Sequence, residues 1–223
     1  TLVPRGGFTF VTQKLMGSVQ IPLITTNRFN TIEACEEALA SGCADMVSMA
    51  RPFLADPEIV NKSKVNSNAV NTCIGCNQAC LDHIFKNKIA TCLVNPRASH
   101  EDKWPRQAKA NIIKRVAVVG SGPAGLSATI EAARLGHTVT LFESNSEIGG
   151  QFNLAKSIPG KDEFNETLRY FDFMLKEFGV QVKLNTIAEI ASLTDYDHII
   201  LATGVKPRKW TIPGSDSKEV VSY

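Results

Sequence analysis

Four cysteines in the middle of the chain carry the strongest chemical pattern in the sequence. Cys73, Cys76 and Cys80 follow the spacing CxxCxxxC, and Cys92 comes after eleven further residues. Closely spaced thiolates on a tight turn can present sulfur to one centre, and Gly75 relieves backbone crowding there. Four soft ligands without histidine favour an iron–sulfur cluster or zinc over a hard metal ion. We predict an iron–sulfur cluster. Zinc is the alternative, but it fits the spacing less well, because zinc ribbons usually pair CxxC with CxxC.

A glycine-rich segment, GSGPAG at residues 120–125, supplies a second pattern. It follows an apolar run and precedes a helix that carries small residues for close packing. Gly120 permits a tight turn, Gly122 lets the backbone approach a pyrophosphate, and Gly125 allows the helix to lie against the strand. The helix N-terminus then offers free amides to that pyrophosphate. The segment therefore predicts a dinucleotide-binding turn.

An acidic residue and a second glycine pair bear on the choice of nucleotide. Glu143 ends the next predicted strand, where a carboxylate accepts hydrogen bonds from a ribose diol and repels a 2′-phosphate. FAD and NAD both fit this fingerprint. The glycine pair before Gln151, and the later segment 202–204 (ATG), resemble the arrangement that flavoproteins with two dinucleotides use for FAD.

The first 60 residues read as strand, helix, strand. Apolar runs at 21–26 and 45–50 predict buried strands, and 32–41 predicts the helix between them, begun by Asn30 or Thr31. Two parallel strands cannot bury their own edges, so this unit is expected to belong to a larger barrel or sheet. Arg28 and Arg51 each follow a strand, where two guanidinium groups can clamp a phosphate dianion; unrelated ion pairs are the alternative.

The remaining chain divides into a linker and a second α/β unit. Periodicity is lost over residues 61–110, whose end is basic and punctuated by proline. Strands are predicted at 116–119, 138–143, 180–184 and 198–202. One helix is predicted from the glycine-rich turn at 120–125 to about residue 135, and another from 164 to 178. The expected fold class is α/β.

Composition limits the partners. The 223 residues carry a formal net charge of +2, which gives no electrostatic footprint for nucleic acid or an anionic membrane. No apolar stretch reaches the roughly 18 to 20 residues of a membrane helix, and the N-terminus lacks a secretory pattern. We expect a cytoplasmic protein that acts on small molecules.

Several of these motifs together resemble one family. The matching runs are residues 25–28 (TTNR), 44–53 (ADMVSMARPF), 71–80 (NTCIGCNQAC) and 148–153 (IGGQFN). They are similar to 2,4-dienoyl-CoA reductase of the bacterial iron–sulfur flavoprotein type, within the old yellow enzyme / NADH:flavin oxidoreductase family.

The resemblance implies three segments: the C-terminal end of an FMN-binding TIM (β/α)8 barrel at 1–60, a [4Fe-4S] segment and linker at 61–110, and an incomplete Rossmann-like FAD-binding domain at 111–223. Carried over by motif, the FMN phosphate site matches Arg28, Ala50 and Arg51. The cluster ligands match the four cysteines Cys73, Cys76, Cys80 and Cys92. The FAD contacts match Ala124, Glu143 and Gln151.

The family passes a hydride from NADPH to FAD, then single electrons through the cluster to FMN, which reduces 2,4-dienoyl-CoA in the β-oxidation of unsaturated fatty acids. Its tyrosine and histidine proton donors are expected before Thr1 and most of its NADPH domain after Tyr223, so no catalytic residue is assigned here. The alternatives are an enoate reductase or trimethylamine dehydrogenase-like member, an electron-transfer module without substrate chemistry, or a zinc-stabilised structural module.

Overall fold

The computed structural model describes residues 3–206, 208 and 211–220. Their helices and strands alternate through most of the chain, as an α/β fold requires. In chain order they are α1 (Thr9–Leu15), β1 (Ile24–Thr26), α2 (Ile32–Ala40), β2 (Met46–Ser48), α3 (Arg51–Ala55), α4 (Ile59–Val65), α5 (Leu81–Phe85), β3 (Arg115–Val119), α6 (Pro123–Arg134), β4 (Thr138–Phe142), α7 (Phe152–Lys156), α8 (Asn165–Glu177), β5 (Gln181–Lys183), α9 (Ile190–Leu193) and β6 (His198–Leu201). Single 3-10 turns occur at Ser67–Ala69 and Asp162–Phe164.

The first unit is a parallel β1–β2 pair crossed by α2. Ile24 pairs with Met46, and three residues of each strand take part. Thr31 begins α2 by accepting a hydrogen bond from the Ala34 amide at 3.3 Å. The strands are shorter than the predicted 21–26 and 45–50, because ladder bonds extend only as far as the partner strand does.

Residues 61–110 contain more helix than predicted. Most of α4, one 3-10 turn and α5 fall in this stretch, and α5 begins directly after Cys80. Helices of five to seven residues complete only one or two turns. Such short helices leave no recognisable apolar period in the sequence.

The second unit is a four-stranded parallel sheet in the order β5-β4-β3-β6. On one face, α6 and α8 pack against the sheet through Leu126, Leu141 and Leu175. On the other face, Ala117 and Phe142 pack with Leu193 of α9. The sheet is therefore covered on both faces, as in doubly wound folds.

Strand β6 forms one edge of this sheet. It exposes Ile199 by 48% and Leu201 by 73%. Among the described helices, none combines the length and the apolar character that crossing a bilayer demands.

Candidate functional site

The glycine-rich turn lies between β3 and α6, and two of its glycines are sterically required. Gly120 has φ +101°, and a Cβ there would overlap the carbonyl oxygen of Ala202. A Cβ on Gly125 would overlap the carbonyl oxygen of Gly120. A Cβ on Gly122 would meet nothing within 4 Å. The turn thus packs tightly against the sheet while its Gly122 side faces open space.

That open space is a cavity of about 660 Å³ at the carboxyl ends of the parallel strands. The predicted residues Ala124 and Gln151 line it together with the glycines, and Gln151 donates from Nε2 to the Val205 carbonyl at 2.8 Å. Gly150 also approaches the turn, since a Cβ on it would lie 3.2 Å from Gly122 Cα. Free amides at the start of α6 and the absence of a side chain at Gly122 fit a pyrophosphate, so the residues present suit a dinucleotide.

Glu143 is at the same cavity, but its carboxylate is already engaged. Oε2 accepts from the amide and the hydroxyl of Ser121 at 2.9 and 2.6 Å, and Oε1 accepts from Asn145 N, Asn145 Nδ2 and Ser144 Oγ at 2.8, 2.9 and 3.2 Å. Burial raises the pKa of Glu143, but these hydrogen bonds outweigh burial and hold the pKa below its usual value. These donors already fill the roughly four acceptor positions of a carboxylate, so a ribose hydroxyl would compete with them for Glu143. Motif reading did not reveal Ser121 as the partner.

The four predicted cysteines line a second, smaller cavity. Its other walls are mostly apolar, with Leu54 and Ile74 among them. A mostly apolar pocket lined by four thiols suits an iron–sulfur site, since the polarity around the sulfurs tunes the reduction potential of a cluster.

The protonation of these thiols follows from burial. Burial raises the pKa of Cys73, and it raises the pKa of Cys92 to about 11. All six cysteines are free thiols. Across the part of the chain that the structure describes, no group of three or more His, Cys, Asp or Glu residues is placed to hold a metal ion. A four-iron cluster is wider than a single ion and spreads its thiolates further apart; the [4Fe-4S] site stays a prediction.

The two predicted phosphate-binding arginines have separate partners. Arg51 donates to Asn77 Oδ1 and lines the cysteine cavity. Arg28, only 7% exposed, donates to the Val3 carbonyl at 2.8 Å and to Glu163 Oε1 at 3.1 Å. These hydrogen bonds join the two guanidinium groups to different residues, and the two-arginine phosphate clamp stays a prediction. Ala50 directly precedes Arg51 as the N-cap residue of α3, and an FMN role for these three residues stays a prediction.

Glu163 joins the two units through residues that motif reading missed. Its carboxylate accepts from Arg5 at 2.6 Å, from Arg28 at 3.1 Å and from Asn30 Nδ2 at 2.9 Å. The same Asn30 amide nitrogen donates to the Cys73 carbonyl at 2.8 Å. Burial raises the pKa of Glu163, while hydrogen bonds from Arg5 and Asn30 and the charges of both arginines outweigh it and bring the pKa below its usual value.

Replacing Glu163 with glutamine tests this ion cluster by its pH dependence. A carboxyl whose folded pKa is lowered stabilises the fold above its unfolded pKa, and the contribution is lost as pH falls through the folded pKa. We expect Glu163→Gln to lower the free energy of unfolding by about 2 kcal/mol at pH 7, where charge-assisted hydrogen bonds are lost. The difference from wild type should shrink as the pH falls below about 4.5, where the unfolded-state carboxyl protonates first, and on through the lowered folded pKa.

Thermal melts between pH 7 and pH 3 measure this difference. Asp172→Asn is the control, because Asp172 forms an exposed pair with Lys176 on α8. A destabilisation by Glu163→Gln that does not change with pH would contradict the assignment.

Comparisons with known proteins agree with two joined segments. Residues 6–69 match the NADH:flavin oxidoreductase / NADH oxidase family, and residues 114–223 match the pyridine nucleotide-disulphide oxidoreductase family. The four cysteines lie between the two matched ranges.

Relatives with both segments cover nearly the whole chain. A metal reductase of Desulforamulus reducens is 34% identical over 98% of this chain, and a cinnamate reductase of Clostridium sporogenes is 36% identical over 89%. The solved structure of a 2-naphthoyl-CoA reductase with 2-naphthoyl-CoA superposes with a TM-score of 0.92 at 33% identity over 96% of the chain. The chain spans 34%, 30% and 33% of the lengths of these three proteins. It belongs to the old-yellow-enzyme-like NADH:flavin oxidoreductases that carry a pyridine nucleotide-disulphide oxidoreductase domain.

Proposed function

We propose that the intact protein is a flavin-dependent oxidoreductase that takes electrons from NADPH and uses FAD, a [4Fe-4S] cluster and FMN. The observation that carries this proposal is the pairing, in one chain, of a glycine-lined dinucleotide cavity with a separate cavity shared by four cysteines. When bound, FAD would accept two electrons from a nicotinamide, and a cluster would exchange electrons singly with a second flavin.

The residues of this chain have distinct parts in that proposal. Gly122 leaves the backbone accessible to the FAD pyrophosphate, and Glu143 orients the ribose once a protein donor has moved away. Cys73, Cys76, Cys80 and Cys92 hold the irons as thiolates. For FMN we propose Arg28, Ala50 and Arg51 as phosphate neighbours, with Arg28 released from Glu163 or shared with it.

For the acceptor we propose a conjugated acyl-CoA, with 2,4-dienoyl-CoA as the first compound to test. Support comes from the names of two relatives, the cinnamate reductase and the 2-naphthoyl-CoA reductase, both of which are named for conjugated acids or their CoA esters. Reduction of the diene to an enoyl-CoA adds two electrons and two protons. NADPH and one proton from solvent supply them. We place this activity in β-oxidation of unsaturated fatty acids in the cytoplasm, where thiols stay reduced.

A second candidate is electron transfer to an external acceptor without organic substrate chemistry. The metal reductase relative, 34% identical over 98% of this chain, favours it. In this case the acceptor would be an oxidised metal ion. The same donor and the same cofactors would serve.

The decisive experiment is purification of the intact protein without oxygen, followed by assays for iron, sulfide and both flavins. We expect about four irons and four sulfides per chain, as a cubane cluster requires, with FAD and FMN present. NADPH oxidation is then followed with 2,4-dienoyl-CoA, cinnamoyl-CoA or ferric citrate. Turnover with ferric citrate but with neither acyl-CoA would favour the second candidate. A colourless, iron-free protein would overturn both candidate functions.

A further inference from the structure

We propose that Arg169, on α8, is a positioning residue that holds the segment before the cysteine motif against the dinucleotide-binding unit. Its guanidinium donates from Nη1 to the Asn68 carbonyl at 2.8 Å and from Nη2 to the Val70 carbonyl at 2.8 Å. Nη2 also reaches Thr72 Oγ1 at 3.1 Å, and Nε donates to Glu166 at 2.7 Å. Arg169 therefore binds Asn68, Val70 and Thr72, and Thr72 directly precedes Cys73.

The geometry of arginine suits this set of acceptors. A guanidinium is planar and presents five N–H donors in a fixed fork, so it can bind several carbonyls on one side while keeping a carboxylate on another. A lysine ammonium offers three donors at a single point. Thr72 is only 2% exposed, so its contact with Arg169 is shielded from water.

The opposite face of α8 belongs to the core of the dinucleotide-binding unit. Phe171 and Leu175 pack in the same cluster as Leu126 and Ile130 of α6. Helix α6 begins immediately after Gly122 in the glycine-rich turn. Two packed helices thus connect the turn at the larger cavity to the segment that leads into the cysteine cavity.

A second contact beside Arg169 also holds Cys73 against the dinucleotide-binding unit. Glu163, in the 3-10 turn before α8, accepts from Asn30, and Asn30 donates to the Cys73 carbonyl at 2.8 Å. Residues three apart along a helix are neighbours on its surface, which places Glu166 between these two contacts. Cys73 is consequently supported through its own carbonyl and through the three residues that Arg169 binds.

The functional meaning of this clamp rests on the proposed function. If FAD occupies the larger cavity and a cluster occupies the cysteine cavity, Arg169 sets how the two are placed relative to each other. Loss of the clamp should then slow electron passage from FAD to the cluster, while nicotinamide reduction of FAD continues.

The test compares Arg169→Met and Arg169→Lys in the intact protein with the control Lys176→Met. Lys176 lies on the same helix, but its pair with Asp172 is exposed. Hydrogen exchange of amides 68–73 is measured first, and it needs no cofactor. We expect about tenfold faster exchange in Arg169→Met, because the buried Val70 carbonyl and Thr72 hydroxyl lose their partner, which eases local opening. Arg169→Lys should recover part of the protection, and Lys176→Met should match wild type.

The second measurement is stopped-flow reduction by NADPH without oxygen, which follows flavin and cluster absorbance separately. We expect Arg169→Met to leave the flavin phase within about twofold of wild type and to slow the cluster phase about tenfold, equivalent to a barrier about 1.4 kcal/mol higher. Unchanged exchange and an unchanged cluster phase would overturn the proposal. An equal loss in both phases would reduce Arg169 to a general structural role and overturn positioning. If wild type contains no iron, the proposed function fails, and the exchange measurement alone decides the clamp.

Discussion

Gly122→Ala should weaken FAD binding at least about tenfold while leaving the fold intact. A Cβ at this position meets no protein atom within 4 Å, and the backbone φ of −65° suits alanine. The free energy of unfolding should therefore fall by no more than about 1 kcal/mol, the difference between glycine and alanine at a helix N-cap. The added methyl group enters the space that a pyrophosphate would use. FAD titration and melting of the FAD-free protein measure the two effects.

Gly125→Ala is the matched comparison. Its Cβ would overlap the Gly120 carbonyl oxygen, so α6 must move away from β3. We expect a loss of roughly 3 kcal/mol or more in the free energy of unfolding, with FAD binding lost as a consequence. The two variants thus separate a contact with the ligand from a contact within the fold. Equal melting temperatures and equal FAD affinities in both variants would refute this division of roles.

Cys73→Ser should remove nearly all iron from the intact protein while FAD binding persists. An alcohol oxygen is a poor ligand for cluster iron compared with a soft thiolate. The dinucleotide cavity shares no lining residue with the cysteine cavity, so flavin content should stay close to wild type. Metal analysis and the visible spectrum of anaerobically purified protein give the result.

Cys43→Ala provides the control, because Cys43 is buried outside the cysteine cavity and contacts Ser41 Oγ at 3.1 Å. It should retain iron. Iron retained by Cys73→Ser, or zinc in place of iron in wild type, would exclude the proposed cluster ligands.

Short motifs could be predicted from the sequence because their geometry is local. In GSGPAG the needs of one turn, one strand end and one helix start are met within six residues, and the steric limits on Gly120 and Gly125 are what the motif encodes. The helix from this turn to about residue 135 and the strand 138–143 were likewise predicted, and the structure has them at Pro123–Arg134 and Thr138–Phe142.

The hydrogen-bond and ion-pair partners of charged side chains could not be predicted from the sequence. Arg28 was expected to bind a phosphate, and nothing in the sequence indicated that it would pair with Glu163, which is 135 residues away in the chain. Glu143 was expected to bind a ribose, but its carboxylate accepts a hydrogen bond from Ser121 of the glycine-rich turn. Arg169 sits on an ordinary amphipathic helix, with no motif around it.

The division follows from the range of the forces. Backbone sterics, capping and ligand spacing act between residues close in the chain, so composition and pattern alone establish the α/β class, the dinucleotide turn and the clustered thiols. Which carboxylate neutralises which guanidinium depends on how distant elements pack, since burial makes such pairing necessary but does not choose the partner. Only the folded chain could place α8 between the glycine-rich turn and the cysteine cavity.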